Sequence, residues 1–144
     1  MIQEHKDLLY KDLLLRDLCA RLPYKVKVEI KNVCKVCTLE EIDCSDEEMS
    51  VAVKHENGEL AGYDFALAKP YLFPLSSMTE EQKQEYTYIV NYISCDDTEN
   101  WKEGEFIYVE QFTQLMRFYL VNHLDYMGLI PMGLANNAVG LYIY

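Results

Sequence analysis

The sequence predicts an α+β fold: an N-terminal helix, a four-stranded antiparallel meander or small SH3-like barrel, and two C-terminal helices, all in one domain spanning residues 1–144. Three observations carry this expectation. Apolar residues recur at helical spacing near the start, at period two between Tyr24 and Leu67, and at helical spacing again after Met78. A chain of 144 residues that is 50% apolar can bury roughly 68–70% of its unfolded surface, so its core needs no metal or disulfide staple. Twelve tyrosines and a tryptophan argue against disorder, which is poor in aromatics.

The first helix follows from Leu8, Leu15, Leu18, Cys19 and Leu22, with Leu14 on the flank and Pro23 where a helix should stop. Leu9 and Leu13 form a second apolar strip. Val26, Val28 and Ile30 then alternate with Lys25, Lys27, Glu29 and Lys31, the pattern of a half-buried strand, with Asn32 as a turn. Further β-rich runs cover Val33 to Ile42, Met49 to His55 and Leu60 to Leu67, and Asn57-Gly58 supplies a tight hairpin between the last two. Pro70 and Pro74 make Lys69 to Ser77 an extended loop, with Tyr71, Leu72, Phe73 and Leu75 plugging the core.

Thr79 and Gln82 form a capping box at the next helix, with Glu80 and Glu81 on its positive end and Tyr86, Ile89, Val90 and Ile93 on one face. Cys95 to Glu105 reads as an acidic loop. Phe112, Leu115, Met116, Tyr119, Leu120 and His123 define the last helix, stopped near Gly128, and the tail from Leu129 is expected to wrap the surface, with Leu141 to Tyr144 as an optional edge strand.

The net charge is −11, unevenly spread. Residues 1–35 carry eight basic and five acidic side chains, and the remainder five basic and nineteen acidic, so +3 stands against −14. Nucleic acid and anionic membrane are therefore poor partners, because both are held by clustered Lys and Arg. The first residues lack a signal peptide's apolar stretch, and no run of about 18 apolar residues exists to cross a membrane. A cytoplasmic location and reduced thiols are expected, since five cysteines are an odd number.

Cys34 and Cys37 have C-x-x-C spacing, and Cys44 with His55 would complete four zinc ligands. Against this, residues i and i+3 of a regular strand face opposite ways and no second C-x-x-C exists, so no metal is expected. Asp96 to Asn100 lacks the glycine and the final glutamate of a calcium loop. Phosphate-loop, dinucleotide, nucleophile-elbow and zinc-protease motifs are absent, so no cofactor is expected. His123 at a helix end, two residues before Asp125, invites a general-base reading; its apolar-face position fits a hydrogen-bonded core histidine better.

Three segments, LLLRDLCARLPY (13–24), KPYLFPLSSMT (69–79) and HLDYMGLIPMGLA (123–135), resemble an uncharacterised family of small acidic proteins of gut bacteria and their phage-like mobile elements. The resemblance covers most of the chain and implies no activity or catalytic residues. It implies a glycine after Pro23-Tyr24, where this chain carries Lys25, and gives the Cys34 and Cys37 pair no role.

The leading functional expectation is a non-enzymatic protein-binding or regulatory module, associated with mobile elements. Its partner is a basic protein surface, met by an acidic rim of Glu47, Glu48, Asp96 and Asp97 with Tyr88 and Tyr92 as anchors. The alternatives are a hydrolase or transferase with a site near His123, Asp125 and Tyr126, and an assembly protein joined through strand edges or aromatics.

Overall fold

A computed structural model describes residues 2–45, 48–94 and 101–144 of the chain. Helix α1 (Ile2–Arg21) buries Leu14, Asp17, Leu18 and Arg21, spaced i, i+3, i+4 and i+7. The expected face was centred elsewhere: Leu8 and Cys19 are exposed, as is Leu9. The helix rotates because Asp17 and Arg21, one turn apart, pair with each other and enter the core together. Past α1, Leu22–Tyr24 form one 3₁₀ turn around Pro23, and Lys25 takes the left-handed conformation at φ 55°. That conformation favours glycine.

Strands β1 (Lys27–Ile30), β2 (Cys34–Asp43), β3 (Ser50–Lys54) and β4 (Leu60–Asp64) pair antiparallel in succession. The β3–β4 connection is a three-residue loop rather than a two-residue one. The His55 amide donates to the Glu59 carbonyl at 2.9 Å and Gly58, at φ 87°, provides the left-handed step that closes such a loop. The fourth run ends early, at Asp64, whose carboxylate accepts from the Ala66 amide and turns Phe65–Leu67 into a 3₁₀ turn.

The sheet is not the four-stranded antiparallel meander or closed barrel expected, because it continues past β1. The sheet has six strands in the order β4-β3-β2-β1-β5-β6 and is mixed, with β5 (Ala68–Leu72) antiparallel to β1 and β6 (Asn136–Asn137) parallel to β5. The proline-rich run expected as a loop supplies β5. The Lys31 amide donates to the Leu67 carbonyl at 3.0 Å, which makes 29 with 69 the next hydrogen-bonding pair. At Pro70, opposite Val28, the backbone nitrogen therefore points away from β1, and β6 pairs only with Tyr71 and Leu72 beyond it. The missing N–H costs no ladder bond.

Thr79 and Gln82 form the expected capping box: the Thr79 amide donates to Gln82 Oε1 at 2.9 Å and the Gln82 amide to Thr79 Oγ1 at 3.1 Å. Helix α2 (Glu80–Ser94) follows, then α3 (Trp101–Val121), so residues 101–105 are helical rather than loop. Phe118 is a buried aromatic of α3, whereas Phe112, expected inward, is 63% exposed.

The tail runs over the surface only in part, with residues 131–133 and 139–142 exposed. Leu129, Ala135 and Ala138 are buried, and the edge strand it contributes is Asn136–Asn137 instead of the 141–144 stretch. One core lies between the sheet, α1 and this tail, around Leu18, Val28, Leu39, Val53, Leu72 and Leu129. A smaller one, around Ile89, Phe118 and Leu124, joins α2 and α3 to Phe73 just past β5.

Candidate functional site

Where α1, the end of α3 and the tail meet, polar side chains are gathered out of water. Arg21 Nε donates to Asp17 Oδ2 at 2.8 Å with both side chains fully buried, and Arg21 Nη2 donates to the Leu124 carbonyl at 2.7 Å. Among the described residues Asp17 Oδ1 and Arg21 Nη1 have no hydrogen-bond partner. Burial lifts the Asp17 carboxyl above its ordinary range even though Arg21 beside it pulls the other way. The guanidinium also lies 5.4 Å from the centre of the Tyr126 ring, which stacks at 14° on Tyr119.

His123, Asp125 and Tyr126 are brought close to this pair, but each faces a different neighbour. The Asp125 carboxylate accepts from the amides of Leu129 at 2.7 Å and Ile130 at 2.9 Å, holding the turn into the tail. His123 sits at φ 53° as the helix ends and stacks on Tyr144 at 3.7 Å between ring centres. Its buried Nδ1 has no hydrogen-bond partner among the described residues, unlike the hydrogen-bonded core histidine expected. Burial, with the charges of Arg21 and Lys27, lowers its pKa to about 4. The imidazole is therefore neutral at pH 7, with Asp125 engaged elsewhere.

Tyr144 ties this cluster to the sheet. Its hydroxyl accepts from the Lys27 amide at 2.9 Å and donates to the Tyr71 carbonyl at 2.7 Å. Residues 27 and 71 are the next hydrogen-bonding positions of the β1–β5 ladder, so a phenol stands where a backbone bond would close. Burial raises its pKa.

The two C-x-x-C thiols do not face opposite ways. Val28 pairs with Cys37 and Ile30 with Cys34, two steps along β1 against three along β2, and this bulge turns both side chains to the core face. Burial pushes the Cys37 thiol up to about 12, and Cys44 stands exposed beyond β2. Among the described residues no group of three or more His, Cys, Asp or Glu side chains is placed to hold a metal ion.

Of the expected partner-binding residues, Glu47, Asp96 and Asp97 and the side chain of Tyr92 lie outside the described residues. Glu48 is exposed between β2 and β3. Tyr88, 70% exposed, lines a cleft of about 410 Å³ between α2 and α3, with Ile89 and Phe118 at its base and Glu85, Arg117 and Val121 around it. The α3 side presents Gln114, Arg117, Phe118 and Val121 at i, i+3, i+4 and i+7, a face that the core-directed reading of this helix left out. The signal for the buried ion pair was also present, as opposite charges four apart, Asp17 and Arg21, interleaved with Leu14 and Leu18 on one helix face.

No family profile, curated protein or solved structure matches this chain. Among the described residues no helix is long and apolar enough to cross a membrane.

Proposed function

We propose that the chain is a non-enzymatic protein-binding module that receives a basic protein surface in the cleft between α2 and α3. The observation that carries this reading is the exposed Tyr88 over an apolar base of Ile89 and Phe118, ringed by polar side chains. An amphipathic ring with few rotors, set in a concave site, is the usual anchor of a protein contact. At the rim Glu85 is balanced by Arg117, so the sign of the partner is supported by the surroundings: α2 carries Glu80, Glu81 and Glu85 against Lys83, within a chain of net charge −11. A lysine or arginine of the partner meets Glu85 at the rim, while an aliphatic or aromatic group packs beside Tyr88.

The test is to capture the partner with the tagged protein and then measure association with purified components. Tyr88→Ala should weaken binding by roughly 30-fold or more, the ordinary size of an anchor loss. The association rate should fall steeply with salt, and Glu85→Gln should flatten that dependence. Salt-insensitive association unaffected by Tyr88→Ala would overturn both the site and the sign of the partner.

A further inference from the structure

The outer face of the sheet, opposite the core, carries a second cleft whose chemistry is the reverse of the chain as a whole. In the ladder Lys27 of β1 stands beside Thr38 of β2, and Thr38 beside Lys54 of β3. Residues in register on adjacent strands point to the same face, so the three side chains form one row, with the two lysines roughly 10 Å apart at their backbones. The cleft they line holds about 400 Å³, and Val36, Glu56 and Ile143 also line it. That volume is in the range of small-molecule sites.

Lys54 is one of five basic residues after position 35, in a stretch with nineteen acidic ones, yet it lies two strands from another lysine. Neither lysine is in an ion pair; those among the described residues are Asp12–Arg16, Asp17–Arg21 and Glu80–Lys83. Lys27 Nζ is held over the row by donating to Thr38 Oγ1 at 2.7 Å, which leaves two of its three protons for another acceptor. Lys54 is exposed on the other side of the same hydroxyl. Two ammonium groups flanking a hydroxyl repel one another unless an anion is placed between them.

We propose that this cleft binds the dianionic phosphate of a small phosphate monoester. The phosphate sits over Thr38, between Lys27 and Lys54. The hydroxyl and the two flanking ammoniums can each donate to a separate phosphate oxygen, and a charge near −2 balances the two ammoniums. The carbon skeleton lies along Val36 and Ile143, and a ligand hydroxyl donates to Glu56. A free small molecule fits better than a nucleic acid backbone, because a polyanion following the groove would run against the net charge of −11.

The experiment is a titration of the ¹⁵N-labelled full chain with glycerol 3-phosphate, inorganic phosphate, succinate and a short single-stranded oligonucleotide, read by amide shifts. Glycerol 3-phosphate should give saturable shifts centred on residues 36–38 and 54–56, with inorganic phosphate several-fold weaker at the same amides and succinate weaker again. Lys54→Met, on an exposed side chain, should weaken glycerol 3-phosphate binding about tenfold or more while leaving the rest of the spectrum unchanged, as the loss of one charge-assisted contact implies. Thr38→Val should act in the same direction. Shifts that do not saturate, saturable shifts centred elsewhere, binding unchanged by Lys54→Met, succinate binding as tightly as the phosphate, or an oligonucleotide binding more tightly than glycerol 3-phosphate would each overturn the proposal.

Discussion

Lowering the pH should destabilise this protein through one residue, His123, before the bulk of its carboxylates titrate. The imidazole titrates near 6.5 in an unfolded chain and is lowered to about 4 in the fold, by burial first and by the charges of Arg21 and Lys27 after it. Between those values the unfolded chain binds the proton and the folded one does not. The stability due to the neutral ring is therefore complete above the unfolded value and is lost as pH falls through 6.5 toward 4. Linkage puts the loss at about 2 kcal/mol between about pH 7.5 and about pH 5, and at about 3 kcal/mol once both states are protonated. The assay is urea denaturation at a series of pH values for the native chain and for His123→Asn. Asparagine cannot titrate and tolerates the φ of 53° found at this position. Losing the stack on Tyr144 lowers the stability of the variant at every pH, so the informative quantity is the slope. The native chain should lose about 2 kcal/mol more than the variant over that interval. Parallel slopes, or a native chain that gains stability toward pH 5 relative to the variant, would refute the reasoning.

Arg21→Met should cost about 3–5 kcal/mol, because it leaves the Asp17 carboxylate buried without its cation, whereas the double variant Asp17→Leu with Arg21→Met should recover most of that loss. Urea midpoints compare them; a double variant no more stable than the single one would count against the account. Tyr144→Phe should cost about 1–2 kcal/mol by leaving the Lys27 amide and Tyr71 carbonyl without their bridge. Amide hydrogen exchange should quicken at Lys27 ahead of the β2–β3 ladder, and unchanged exchange there would show that the phenol bridge contributes nothing.

What could be read along the chain was whatever depends on near neighbours. The Thr79–Gln82 capping box, the stop at Pro23 and the period-two alternation of Val26, Val28 and Ile30 are written in residues a few positions apart, and each stands in the structure. The exposed Tyr88 of the candidate cleft was legible too, as one of several tyrosines near acidic residues, but not the groove it lines, which needs α3 beside it. Tertiary structure decided the rest. Pro70 forbids a strand only if its nitrogen faces a partner, and which side it faces is fixed by register with β1, some forty residues earlier. Cys34 and Cys37 share a face because β2 bulges against β1, which spacing in one strand cannot reveal. The row of Lys27, Thr38 and Lys54 exists only once three strands are in register. Asp17 and Arg21 look like an ordinary surface pair on a helix until the tail from Asp125 and the end of α3 close over them. In each case the deciding quantity is a pairing between distant segments, and the hydrophobic pattern of a single segment holds no information about its partner.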